Sequence, residues 1–72
     1  MSVAEYKDIF CNNVQRLRRN LNLSLADVAR CSGIPLKMLE QLEQNILPEE
    51  MMVDDAFALA KVFHCKVYEL FE

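Results

Sequence analysis

The chain has 72 residues, 53% hydrophobic and 26% charged, with one Gly, two Pro and no Trp. That length suits one domain over 1–72 and is too short for two, and so few turn-forming residues exclude a sandwich or a barrel; an all-α domain with one small core is expected. The net charge of −3 is not that of a strongly basic nucleic-acid binder, but the acidity is uneven: residues 1–45 carry six basic groups against five acidic, and residues 46–72 two against six.

In chain order, Phe10, Val14, Leu17 and Leu21 recur at helical spacing and predict a first helix from Tyr6 to Leu21, basic near its end at Arg16, Arg18 and Arg19. Ser24 followed three residues later by Asp27 has the form of a capping box and predicts a second helix over Leu25 to Ser32. Gly33 ends that helix, because a left-handed residue past a helix terminus is cheapest without a Cβ. Pro35, with its backbone angle already suited to a first turn, opens a third helix from about Pro35 to Gln44. At about 100° per residue, Met38, Leu39 and Leu42 share a core side, while Leu36, Lys37, Glu40, Gln41 and Gln44 share a side facing solvent or a ligand.

"NILPEE" is a connection in which Asn45 can take the left-handed cap and Pro48 marks a turn. Asp54 and Asp55 suit the positive end of a fourth helix, whose buried stripe is expected to be Met52, Ala56, Leu59, Ala60 and Phe63. After "HCK", the segment "VYELFE" predicts a short fifth helix offering the apolar residues Val67, Leu70 and Phe71.

Cys11, Cys31 and Cys65 are odd in number and widely spaced, without a C-x-x-C and with only His64 nearby, so free thiols are expected rather than a metal site. One histidine, no Gly-rich phosphate loop and no nucleophile beside a base leave no catalytic constellation; neither an enzyme nor a cofactor is expected. No apolar run approaches the roughly 20 residues that span a bilayer, and the N-terminus lacks a signal-peptide pattern, so the expectation is a cytoplasmic protein.

Two short helices about a glycine turn form the general helix-turn-helix pattern, here over about residues 24–44. Through "VQRLRRNLNLSLADVARCSGIP", "MLEQLEQN" and "LAKVFHCKVYELF", residues 10–71 resemble the Cro/C1-type helix-turn-helix family of phage repressors and bacterial transcriptional regulators. The resemblance implies a compact five-helix bundle of the lambda-repressor-like type. It also implies a third helix in the major groove of double-stranded DNA and a homodimer on a roughly palindromic operator, joined through the last helix at Val67, Tyr68 and Phe71.

By the same resemblance Leu36, Lys37 and Gln41 take base-contacting positions, with Glu40 and Gln44 on the same face. Arg18 and Glu43 match an architectural ion pair between the first and third helices. Leu25 stands where the family commonly has a glutamine on the phosphate backbone, Pro35 replaces a Ser or Thr cap, and Glu49 and Glu50 lie in a loop that often approaches phosphate.

From the residues themselves, Lys37, Gln41 and Gln44 read either as a solvated face or as DNA contacts. Arg16 and Arg19 read either as phosphate contacts or as a solvated basic face, and Leu25 as packing at the core edge. Two functions follow as expectations. The first is a DNA-binding transcriptional regulator; the alternative is a protein-interaction module on the same scaffold, using Leu25, Leu36, Ile46 and Leu47.

Overall fold

The computed structural model describes the backbone of residues 3–72 and the side chains of residues 5–72. The sequence expectation of a domain over 1–72 includes residues 1 and 2, which lie outside the described residues. The described chain is all-helical: α1 spans Val3–Asn20, α2 Leu25–Ser32, α3 Leu36–Glu43 and α4 Val53–Val62, and a 3₁₀ helix closes the chain at Val67–Phe71.

The expected fifth α-helix is therefore corrected to a 3₁₀ turn, leaving four α-helices. Five residues are too few to sustain a ladder of i→i−4 bonds, and the Glu69 amide instead donates to Lys66 O at 2.9 Å, the tighter 3₁₀ pattern. Asn13 reinforces the choice from α1, its Nδ2 donating to Leu70 O at 2.9 Å and Glu72 O at 3.2 Å.

α1 packs against α3 and the 3₁₀ helix, α2 packs against α3 and α4, and α4 closes on the 3₁₀ helix. Leu39, Leu42, Leu59, Leu70, Val28 and Cys11 fill the centre, one or more from every element. A second correction falls on α4, where Met52, expected in the buried stripe, caps the helix from outside it and is 70% exposed. Its backbone amide donates to Asp55 Oδ2 at 2.9 Å, so the helix begins at Val53 and the stripe reduces to Ala56, Leu59, Ala60 and Phe63. Tyr6 and Leu21, the expected ends of the first helix, are both exposed, and α1 begins earlier, at Val3.

Every α-helix ends in a left-handed residue. Gly33 (φ 78°) follows α2, and Asn22 (φ 56°), Asn45 (φ 60°) and His64 (φ 55°) follow α1, α3 and α4. At the three non-glycine ends the chain folds back through the same bond pair. Leu23 N–H donates to Arg18 O, Ile46 N–H to Gln41 O and Cys65 N–H to Ala60 O, each beside a shorter-range bond from the left-handed residue itself. These pairs satisfy carbonyls that a helix terminus otherwise leaves open.

Candidate nucleic-acid interface

The α2–α3 unit is built by local chemistry. Ser24 Oγ accepts the Asp27 amide at 3.0 Å while the Ser24 amide donates to Asp27 Oδ2 at 3.1 Å, completing the capping box. The Ser24 amide above all, then the Ser24 hydroxyl and Arg30, hold the Asp27 carboxyl below the usual carboxylate range; Arg30 Nη2 reaches it at 2.9 Å.

At the other end of α2 the Gly33 amide donates to Ala29 O at 2.9 Å, and Ile34 turns into the core while its amide donates to Ser32 Oγ at 3.1 Å. Pro35 caps α3 without a side-chain bond, its carbonyl accepting from Met38 at 3.0 Å and Leu39 at 3.4 Å. The helix thus runs one residue shorter at each end than the sequence predicts, with Pro35 and Gln44 as its caps.

α3 turns Met38, Leu39 and Leu42 into the core. Its outer side presents Leu36, Lys37, Glu40 and Gln44 exposed and Gln41 half-buried. Among the described residues none of Lys37, Glu40, Gln41 and Gln44 has a side-chain hydrogen bond or ion pair, so their polar atoms face outward unengaged. Leu36 is 44% exposed, whereas Leu25 is half-buried against the core. Ile46 and Leu47 follow the C-terminal end of α3, where the Ile46 amide folds back onto Gln41 O at 2.9 Å; both side chains are exposed.

What holds α3 against α1 is a polar seam. Arg18 Nε donates to Glu43 Oε1 at 2.7 Å and its Nη1 to Leu23 O at 2.8 Å, both acid and base being about one-fifth exposed; Arg19 approaches Glu43 Oε2 at 3.7 Å from a far more exposed position. Gln15, which sequence reading passed over, donates through Nε2 to Leu42 O and to Asn45 Oδ1, each at 2.9 Å, and so ties α1 to the C-terminal end of α3. Its signal was available: Gln15, Arg18 and Arg19 stand at i, i+3 and i+4, one edge of α1.

Arg16 points elsewhere, its Nη2 on Asn13 Oδ1 at 3.2 Å, on the side of α1 that carries the chain's last residues. Of the two arginines expected at phosphates, the structure brings only Arg19 to the α3 seam. Asn13 itself was also missed, although a polar residue three after Phe10 and four before Leu17 sits within the apolar stripe.

At the chain's end Val67 is half-buried, Tyr68 is exposed, and Phe71 is partly exposed while its ring stacks on Phe10 with centroids 5.1 Å apart. Among the described residues no group of three His, Cys, Asp or Glu could hold a metal ion, and no helix is long and apolar enough to cross a membrane. No protein-family model, no curated protein and no solved structure matches the chain.

Proposed function

We propose that this chain is a sequence-specific DNA-binding transcriptional regulator of the Cro/C1-like helix-turn-helix type. In this reading it works as a homodimer whose two α3 helices enter the major groove about one DNA turn, roughly 34 Å, apart. The observation that carries the reading is the α2–Gly33–α3 unit with Lys37, Gln41 and Gln44 exposed or half-exposed along one side and without side-chain partners among the described residues. A helix of that kind fits the major groove, where each base pair has its own donor and acceptor pattern. The resemblance in "VQRLRRNLNLSLADVARCSGIP" and "MLEQLEQN" supports it.

In this reading Lys37 donates to guanine or to a phosphate, Gln41 pairs with adenine, and Leu36 touches a thymine methyl. Arg19 and the first amides of α2 hold phosphates, Glu40 stays solvated beside the readers, and the seam through Arg18, Glu43 and Gln15 fixes the angle of α3. The dimer contact centres on Tyr68, flanked by Val67 and Phe71.

The test is selection from random duplex DNA followed by titration of the selected sequence at two salt concentrations. Binding that weakens with salt is expected, with Gln41→Ala losing about 1–3 kcal/mol of discrimination at one base pair. Failure to select any sequence, with no salt-dependent binding to any duplex, would overturn the reading. Leu36→Lys separates it from the interaction-module alternative: tighter DNA binding supports the first, and loss of a co-purifying protein with no DNA binding supports the second.

A further inference from the structure

Away from α2 and α3, an apolar groove of about 430 Å³ runs between the first turns of α1, the loop before α4, the start of α4 and the 3₁₀ helix. Tyr6, Leu47, Met52, Val53, Phe57 and Phe71 line it, and all six are among the chain's exposed large hydrophobic residues. A single exposed apolar side chain is unremarkable, but six around one concavity on a 72-residue chain is a contiguous patch of the kind that marks an interaction site.

The volume falls within the roughly 300–1,000 Å³ of small-molecule sites, yet such sites orient their ligand with convergent polar groups. Here the one ionisable amine among the lining residues is Lys7, and it is already engaged by Asp8 at 3.7 Å. The carboxylates stand outside the lining. Glu49 and Glu50 lie between the lining residues Leu47 and Met51, and Asp54 follows Val53; all three are exposed and none has an ion pair among the described residues.

Lys7 in the lining and exposed Lys66 beside Val67 offset these acids only in part, so an apolar floor with a net acidic surround defines the complement. We propose that this groove docks an amphipathic helix of another protein, with apolar anchors at i, i+3 or i+4 and i+7 and lysine or arginine flanking them. A second copy of the chain is a poorer fit. The chain is itself acidic, −3 overall, so a second copy offers this groove less complementary charge than a basic helix does. The partner helix also covers Val67 and Phe71 and so competes with a dimer contact through them, of which Tyr68 alone lies outside the groove.

The full chain is titrated by fluorescence anisotropy with two dye-labelled helical peptides of one apolar pattern, one with lysine and one with glutamate at every polar position. The lysine peptide should bind at least tenfold more tightly than the glutamate peptide. Phe57→Ser, at a site 55% exposed where the fold tolerates change, should weaken it at least tenfold with the circular dichroism unaltered. Val53→Ser serves as the second variant should the first not fold. The triple variant Glu49→Gln, Glu50→Gln, Asp54→Asn should erase the preference for lysine, while Gln41→Ala should leave it intact. The proposal is overturned by equal binding of the two peptides, by no binding, by indifference to both groove variants, or by a dimer in sedimentation that Phe57→Ser dissociates and the peptide cannot enter. None of these outcomes is a DNA-binding measurement, so the α3 reading and the groove proposal fail separately; a dimer through Val67 and Phe71 that excludes the peptide counts against the groove proposal alone.

Discussion

At the scale of single residues, the backbone conformation of four positions decides where helices stop. Gly33 has nothing within 4 Å of where a Cβ would stand, so any penalty for adding one is conformational and not steric. Gly33→Ala should therefore destabilise by about 1–2 kcal/mol, the cost of a left-handed L-residue. His64 already bears that cost at φ 55° with no polar side-chain bond among the described residues in return, whereas the two asparagines tolerate the conformation better. His64→Gly should raise stability by about 0.5–1 kcal/mol, the left-handed penalty less the larger entropy glycine loses on folding. In thermal unfolding the two variants should move Tm in opposite directions, each by several degrees at about 4–8 °C per kcal/mol; shifts of the same sign would refute the backbone account. Asp27 sets a pH dependence at the same scale. Its folded carboxyl is depressed by the Ser24 amide and hydroxyl and by Arg30, so its contribution is complete above the ordinary carboxylate pKa of about 3.9 and is lost as pH falls from there through the folded value. The Tm gap between the parent chain and Asp27→Asn should be flat from about pH 5 to 8 and close below about pH 4. A gap that persists in acid would show that the carboxylate charge is not what the cap uses.

At the scale of elements, α2 was legible to the residue because its signals are all local: Ser24 and Asp27 at one end, Gly33 at the other, and no tertiary contact needed to interpret either. The start of α4 and the nature of the last element were not. Met52 continues a helical apolar spacing, but spacing does not say where a ladder begins, and the Asp55 side chain on the Met52 amide places the boundary one residue later. "VYELFE" carries ordinary helix formers, and only its brevity and the reach of Asn13 from α1 select the 3₁₀ form. The seam between α1 and α3 was half legible. Arg18 and Glu43 were expected from resemblance, while Gln15 was overlooked because an isolated glutamine on a helix has no signature until its partner carbonyl is known. The seam makes a quantitative expectation. Glu43→Ala removes a partly buried, charge-assisted bond and should cost about 1.5–3 kcal/mol, leaving Arg18 only Leu23 O. Arg19→Ala removes a longer ion pair on an arginine side chain 64% exposed and should cost no more than about 0.5 kcal/mol. Chemical denaturation of both variants checks the ordering, and equal losses would mean that Arg18 is not the principal partner.

At the scale of the whole molecule, the charge asymmetry read from the sequence gains a spatial meaning. Most of the residues lining the groove at the start of α4 come from the acidic second half, while the α2–α3 surface belongs to the half with a slight basic excess. The halves are joined through Asn13, whose amide bonds the carbonyls of Leu70 and Glu72 and whose oxygen accepts from Arg16, so one side chain on α1 fastens the chain's end across 57 to 59 positions. Removing it leaves the Leu70 carbonyl without that donor beside a fully buried side chain, and Asn13→Ala should destabilise by about 1–3 kcal/mol. Cysteine reactivity reads this out globally. Cys31 is exposed, whereas Cys11 is completely buried in the core two positions before Asn13, and burial also pushes its thiol pKa up, leaving less of the nucleophilic thiolate. Iodoacetamide should therefore modify Cys31 in the folded chain and Cys11 only through opening of the core. When opening and closing are fast relative to alkylation, the Cys11 rate follows the open population, so a loss of about 1–3 kcal/mol in Asn13→Ala should accelerate Cys11 labelling by about 5–150-fold and leave Cys31 unchanged. If Asn13 instead fastens only a fraying end, Cys11 labelling will match the parent while protease trims the last residues faster, and the end-to-end tie would then be local rather than part of the cooperative core.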